Sequence, residues 1–167
     1  MIEILKIAAL ILTALCMGLT LAHALEYPGK MRLTRQSYLT VQTIYYPGFT
    51  YAGAAEPAAI LVLAILALLT PARTQSFWLI VISCVAAALT HFLYWFLTAP
   101  VNKLWMKDEK LAGSEKAFFG TDSQTADISG GWPSGWIDAR TRWEHSHMLR
   151  AATATIAFVI LVLAVVI

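Results

Sequence analysis

Two pairs of histidine and glutamate residues have a spacing that could support chemistry. His23 and Glu26 lie three residues apart, as do Glu144 and His147, so each pair shares one face of a helix. Di-metal carboxylate proteins use the Glu-x-x-His spacing to direct two ligands from one helix into the core of a four-helix bundle. Imidazole and carboxylate ligands without thiolate suit iron, manganese or zinc. The spacing predicts a divalent metal site with His23, Glu26, Glu144 and His147 as ligands.

The elements that must position these residues are membrane-spanning helices. Apolar residues make up 59% of the chain and charged residues 13%, against roughly 45–50% and about 25% in soluble domains. A span takes about 20 apolar residues. Four segments qualify, at about 4–25, 54–70, 77–99 and 142–167. The sequence predicts an all-α fold with one four-helix membrane domain over residues 1–167.

The segments between the predicted spans carry their own patterns. Tyr38, Val41 and Tyr45 recur at helical spacing, which predicts a short interfacial helix between the first and second spans, ended by Pro47-Gly48. The short link 73–76 predicts that the second and third spans form an antiparallel hairpin. The long loop covers 102–139.

Proline marks the predicted ends of two spans. Glu26-Tyr27-Pro28-Gly29 is a turn signal that stops the first span, and Pro100 stops the third. With these ends, the alternating helix directions bring His23, His91 and His147 to the same side of the membrane.

Lysine and arginine are concentrated in the two longer loops, whereas Lys6 and Arg73 lie on the opposite side. The positive-inside rule places the long loops in the cytoplasm and both termini outside. We expect a multi-pass protein of the inner or cytoplasmic membrane. A net charge of +2, with no basic run interleaved with aromatics, excludes nucleic-acid binding.

Depth separates two groups of polar residues within the bundle. Counting helix rise places His23 and His147 about 28–30 Å from the opposite face, and Glu56 and His91 about 20 Å from it. His23, Glu26, Glu144 and His147 therefore form the coherent set. Glu56 and His91 would supply a deeper supporting layer, a proton path or a separate polar pair.

Four short stretches also carry a family resemblance, and they stand in the sequence as Leu25-Glu26-Tyr27-Pro28-Gly29-Lys30, Tyr45-Tyr46-Pro47-Gly48-Phe49, Pro100-Val101-Asn102 and Trp143-x-x-x-His147-x-x-Arg150. In this order the chain resembles a large group of small four-helix membrane proteins, mostly of unassigned function, that includes the fungal anthrone oxygenases. The resemblance implies an integral membrane oxidoreductase that performs oxygen chemistry on an apolar aromatic substrate, with non-haem iron as the favoured metal. It carries Glu26, Asn102, His147 and Arg150 over as site residues. His91 and His145 match nothing in the pattern.

The leading hypothesis gives catalytic roles to His147, Arg150, Asn102 and Tyr45. Arg150, one turn deeper than His147, would stabilise an anionic intermediate or a phenolate. Tyr45 or Gln42 would cover the site from the interfacial helix. A cofactor-free enzyme with His147 as the base is a variant of the same hypothesis.

A second hypothesis is a b-type haem protein that transfers electrons. Its axial ligands would be His23 with His147, or His91 with His147. Trp143 is a candidate cofactor contact, although tryptophan also concentrates at the membrane interface.

A third hypothesis involves no catalysis. The chain would be a membrane accessory subunit or a lipid- or quinone-binding protein, with Arg142, Trp143 and Arg150 in contact with a headgroup. Glu26 and Glu144 would then neutralise buried arginine or lysine. The uncharged segment 151–167 would then face the lipid bilayer, a second copy in a homo-oligomer, or a larger complex.

Overall fold

Helices make up every regular element in the part of the chain that the structure describes. The computed structural model describes residues 1–45, 47–105 and 135–167, so most of the predicted loop 102–139 lies outside the described residues. The helices are α1 (Ile2–Lys30), α2 (Arg35–Thr43), α3 (Gly48–Ala52), α4 (Ala55–Leu69), α5 (Gln75–Leu93), α6 (Ala99–Trp105) and α7 (Trp136–Val166), and a π-helix at Tyr94–Thr98 joins α5 to α6.

Four stretches are long and apolar enough to cross a membrane, namely Ile2–Lys30, Gly48–Leu69, Gln75–Asn102 and Trp136–Val166. The shortest has 22 residues, or about 33 Å of helix, against a hydrocarbon thickness of about 30 Å. The predicted all-α, four-helix membrane fold and its multi-pass character are confirmed.

Helices α5 and α7 pack antiparallel through small and hydroxyl-bearing side chains. Ser83 Oγ donates to the carbonyl oxygen of Ala157 at 2.8 Å, and the hydroxyls of Thr90 and Thr153 are 2.8 Å apart. Membrane helices associate through small residues and interhelical hydrogen bonds because lipid provides no hydrophobic drive between them. This seam fixes the depth at which the polar residues of α7 face α5.

The first helix is longer than predicted. It runs through Pro28 and ends at Lys30, although Glu26-Tyr27-Pro28-Gly29 was expected to stop it. Pro28 lies in the last turn, where its missing N–H costs a single intrahelical bond. The Lys30 ammonium pairs at 2.8 Å with the Glu26 carboxylate one turn earlier, and this (i, i+4) contact favours continuation of the helix.

The third span also continues past its proline. Helical structure passes through Pro100 to Trp105 by way of the π-helix, contrary to the predicted end. Pro100 cannot donate a hydrogen bond to the carbonyl four residues back, which belongs to Phe96. That carbonyl oxygen accepts from Arg142 Nη2 of α7 at 3.3 Å instead. The neighbouring helix thus satisfies the group that proline leaves free.

The predicted interfacial helix is present as α2. Thr34 caps it by accepting from the backbone N–H of Ser37 at 3.3 Å, the usual role of an N-cap threonine. It ends at Thr43, earlier than predicted, and Pro47-Gly48 begins the short helix α3 rather than ending α2.

The apolar face of α2 covers one end of the bundle. Tyr38, Leu39 and Tyr45 form a buried cluster with Val101 of α6 and Trp143 of α7. A second apolar core lies towards the opposite end, built from Ala9, Leu63, Leu66, Ile80, Leu161 and Ala164. The polar residues lie between these two regions.

Helix α7 begins at Trp136, before the predicted start at residue 142. Gly135 precedes it with φ of 128°, a backbone conformation that glycine adopts without steric cost. The extra turns carry Trp136 and Arg140 into contact with Tyr38 of α2. The second predicted span, 54–70, agrees with α4 to within one residue at each end, although the membrane-spanning stretch Gly48–Leu69 also includes α3.

Candidate functional site

A cavity of about 260 Å³ lies at the α2 end of the bundle. Its wall takes side chains from all seven α-helices and from the π-helix. The polar and aromatic wall residues are Thr20, His23, Gln42, Tyr45, Phe49, Thr50, Glu56, His91, Tyr94, Trp95, Thr98, Asn102, Trp143, His147 and Arg150. The four predicted catalytic residues, Tyr45, Asn102, His147 and Arg150, therefore meet at one cavity, whereas Glu26 and Glu144 do not line it.

Two histidines meet in the wall of this cavity. The ring centroids of His23 and His147 are 4.3 Å apart, with the rings edge to face, and both side chains are buried. Trp143 stacks on His147 at 3.9 Å between centroids. Tyr45 and Phe49 pack against His23 at 4.5 and 4.8 Å. The imidazole pair is thus enclosed by aromatic rings, and the facing arrangement of α1 and α7 agrees with the one that the spacing predicted.

Lys30 is a site residue that the sequence does not single out, although the third hypothesis pairs Glu26 with a buried arginine or lysine. Its ammonium lies 2.8 Å from Glu26 Oε2 and 3.5 Å from His23 Nδ1. It also lies over the rings of Tyr45 and Trp143, at 4.7 and 4.9 Å from their centroids. Lysine only donates hydrogen bonds, so Nδ1 of His23 must accept. The (i, i+4) spacing of Glu26 and Lys30 is the sequence signal for this pair. The predicted first span ends before both residues, so it places Lys30 in a loop.

The two predicted carboxylate ligands are engaged elsewhere. Glu26 Oε2 accepts a short hydrogen bond from the Tyr45 hydroxyl in addition to its Lys30 contact. Glu144 Oε1 accepts from the Tyr38 hydroxyl at 2.6 Å. Across residues 1–45, 47–105 and 135–167, no three His, Cys, Asp or Glu side chains are grouped to hold one metal ion.

The structure therefore gives no support to the predicted metal site of His23, Glu26, Glu144 and His147. A cation of the chain itself lies beside two of these residues. The Lys30 ammonium lies beside Glu26 and His23, where the spacing argument placed a metal ion. Spacing along a helix shows which residues lie on one face, but it does not show whether a metal ion or a lysine contacts them.

The residues do not fit a haem either. The rings of His23 and His147 are in contact, and a porphyrin needs open space between its two axial ligands. Both ring nitrogens of His91 are occupied: Nδ1 lies 3.0 Å from Glu56 Oε2, and Nε2 accepts from Trp95 Nε1 at 3.0 Å.

Glu56 and His91 form a separate polar group that includes Arg150. Arg150 Nη2 donates a short hydrogen bond to Glu56 Oε1. Tryptophan only donates, so the bond from Trp95 leaves the proton of His91 on Nδ1, where it donates to Glu56. One buried carboxylate thus holds both a guanidinium and an imidazole. Of the three roles predicted for Glu56 and His91, the separate polar pair matches this arrangement.

Three hydrogen-bond donors of the cavity wall have no acceptor among the described residues. They are Gln42 Nε2, Thr50 Oγ1 and Arg150 Nε. A buried polar group without a partner costs about 1–3 kcal/mol, so such groups are usually satisfied by water or a ligand. All three belong to side chains that line the cavity, although the atoms themselves are enclosed by protein.

Tyr38 of α2 and Tyr45, just after α2, stay protonated. Burial, with help from the bond to Glu26, raises the pKa of the Tyr45 phenol well above its usual range. Burial and the nearby Glu144 carboxylate raise the pKa of Tyr38 in the same way. Both hydroxyls act as hydrogen-bond donors that tie α2 and its following turn to α1 and α7.

No protein-family model, curated protein or solved structure matches the chain. The resemblance to the anthrone oxygenase group therefore stays a prediction.

Proposed function

We propose that the protein is an integral membrane oxidoreductase in which His147 acts as a base on an apolar, enolisable aromatic ketone bound in the cavity. The observation that carries the proposal is the buried contact between His147 and His23 in the cavity wall. Two imidazolium ions in contact would repel each other, so at least one ring is neutral and can accept a proton.

The wall chemistry favours an aromatic ligand that carries oxygen. Tyr45, Phe49, Tyr94 and Trp143 present ring surfaces to the cavity, and stacked or edge-on aromatic pairs stabilise a complex beyond area burial alone. The unpartnered donors of Gln42, Thr50 and Arg150 suit carbonyl or hydroxyl oxygens. An anthrone-like molecule, with a ketone opposite a methylene between two aromatic rings, has this distribution.

The reaction balances without an external reductant. His147 removes a proton from the methylene carbon, and the electron pair moves to the ketone oxygen as an enolate. A rotation of the Arg150 guanidinium brings its Nε–H, which has no acceptor among the described residues, to that oxygen. The enolate carbon adds dioxygen, the protonated His147 returns its proton to the resulting peroxide, and loss of water leaves a second ketone. In sum, one methylene and one dioxygen molecule give one carbonyl group and one water molecule.

The test uses the protein in lipid nanodiscs with 1,8-dihydroxyanthrone as the probe. Dioxygen uptake and quinone absorbance are measured above the uncatalysed oxidation. We expect His147→Gln to lower the rate by roughly 10²–10⁴-fold, the usual contribution of a positioned base. His145→Gln is the matched control, because His145 is exposed on the same helix. Equal rates for wild type and His147→Gln would overturn the proposal.

The unpartnered donors also favour a second candidate, a non-catalytic quinone-binding protein. Gln42 Nε2 and Arg150 Nε could each donate to a quinone carbonyl. Saturable binding of 9,10-anthraquinone, together with no oxidation of the anthrone above background, would select this candidate over the enzyme.

A further inference from the structure

Trp95 belongs both to the cavity wall and to the outer surface of the bundle. It lines the cavity, yet 58% of its surface is exposed. Every other cavity-lining residue is buried or half-buried. Trp95 lies within the membrane-spanning stretch Gln75–Asn102, seven residues or about 10 Å of helix from its end. Its exposed face therefore lies on the outer surface of the bundle, within or close to the membrane.

The wall beside Trp95 is made of hydrogen-bonded side chains instead of packed apolar ones. His91 lines the cavity on its inner side, and its side chain is 33% exposed. Trp95 Nε1 donates to His91 Nε2 at 3.0 Å, and His91 Nδ1 donates to Glu56 Oε2 at 3.0 Å. Trp95 and His91 thus stand between the cavity and the outer surface of the bundle.

The backbone at this position is also unusual. Trp95 is the second residue of the π-helix Tyr94–Thr98, and single-turn π-helices occur frequently at functional sites. Outside the cavity, the rings of Phe92 and Phe96 stack with centroids 4.0 Å apart. Both are more than half exposed. A flat aromatic patch thus lies beside this wall on the outer surface of the bundle.

We infer that Trp95 and His91 form a lateral gate through which a planar apolar ligand dissolved in the membrane enters the cavity directly from the lipid. The inference rests on the proposed function for its ligand class and adds the source of that ligand. The indole ring is held on its inner edge by one hydrogen bond, and exposed side chains change rotamer within nanoseconds. When the ring turns outward, the ligand passes between α4 and the π-helix towards Arg150.

The gate predicts faster ligand exchange when its hydrogen bond is removed. Trp95→Phe keeps an aromatic ring but loses the bond to His91. In nanodiscs, stopped-flow quenching of tryptophan fluorescence by 9,10-anthraquinone gives the association and dissociation rates. We expect both rates to rise roughly three- to tenfold in Trp95→Phe, as loss of one hydrogen bond would cause. Affinity should change little, because Trp95→Phe keeps an aromatic ring at this point of the cavity wall.

Trp78→Phe is the matched control, since Trp78 is 59% exposed on the same span but is not part of the cavity wall. It should leave both rates unchanged. Anthraquinone-2-sulfonate, which stays in water, reports on any route from the aqueous side, and its rates should not respond to Trp95→Phe.

Three results would overturn the lateral gate. These are wild-type exchange rates in Trp95→Phe, equal acceleration of the water-soluble sulfonate, and no saturable quenching in the wild type. Anthraquinone is already oxidised, so its exchange does not require turnover. Normal exchange without anthrone oxidation would therefore overturn only the proposed chemistry.

Discussion

His23 of α1 and His147 of α7 touch edge to face, with ring centroids 4.3 Å apart, and each has a glutamate one turn away that faces another partner. Glu26 binds Lys30 and Tyr45, and Glu144 binds Tyr38. The two carboxylates bind Tyr38 and Tyr45, which lie on and just after α2. The two imidazoles line the cavity. This division of roles explains why a spacing that resembles a metal site produces a pair of contacting rings instead.

We expect His23 to position the His147 ring. A substitution at His23 that keeps an aromatic ring should distinguish this role from simple packing. His23→Phe preserves a ring against Tyr45 and Phe49 but removes the Nδ1 acceptor of the Lys30 ammonium. We expect a folded protein whose kcat for anthrone oxidation falls about tenfold or more, a change equivalent to about 1.4 kcal/mol, with KM nearly unchanged. His145→Phe should keep wild-type kinetics. A raised KM with unchanged kcat would instead assign His23 to ligand binding.

Lys30 should contribute to stability through the charge it places beside Glu26. Its side chain is only 4% exposed, so Glu26→Gln leaves a buried ammonium without its carboxylate. The expected loss is about 1–3 kcal/mol, seen as a lower denaturation midpoint in detergent. The double variant Glu26→Gln with Lys30→Met should recover part of that loss, because both members of the ion pair are then neutral. Arg32→Met, at an exposed site, is the control. A double variant no more stable than Glu26→Gln would argue against the charge explanation.

Pro100 should maintain the π-helix that displays Trp95. In Pro100→Ala the new N–H can bond to the Phe96 carbonyl oxygen, which favours a regular α-helix through Tyr94–Thr98. The thermal midpoint should stay level or rise, whereas anthraquinone affinity in nanodiscs should fall because Tyr94 and Trp95 rotate out of register. Pro57→Ala, in the first turn of α4, should change neither property. Unaltered affinity in Pro100→Ala would show that the cavity does not depend on the π-helix.

The fold was largely predictable because its dominant signal is local. Apolar runs of span length define four helices, and the spacing of Tyr38 and Val41 indicates α2, although Tyr45 lies beyond its end. The helix ends at Pro28 and Pro100 were not predictable by the same means. Each proline leaves a backbone carbonyl without its usual donor, and the turn signal in the sequence is the same whether or not the helix continues. In the second case the compensating donor, Arg142, comes from a different helix.

The candidate site was predictable in its location but less so in its partners. Alternating helix direction brought His23, His147 and Arg150 to one end, and the cavity lies there. The partners of Glu144 and Glu56 were not predictable. Tyr38 reaches Glu144 from α2, and Arg150 reaches Glu56 from α7. Such long-range pairs depend on helix rotation and docking, which residue spacing within one segment does not encode.

Tyr38 and Tyr45 should make the stability of the protein sensitive to alkaline pH. Their pKa values are raised in the folded state, so the native protein retains protons that the unfolded chain loses above about pH 10. The stabilisation is therefore fully present below pH 10 and falls as pH rises above it, by up to about 1.4 kcal/mol per pH unit for each phenol. We expect the denaturation midpoint of the wild type to be level from pH 7 to 9 and to drop steeply above 10.

The variant Tyr38→Phe with Tyr45→Phe should start lower, because the Glu144 and Glu26 carboxylates lose their donors, but it should decline less steeply. Tyr51→Phe, which removes a phenol that is 73% exposed, should follow the wild-type curve. Parallel alkaline slopes in wild type and the double variant would mean that the two hydroxyls ionise without disturbing the docking of α2.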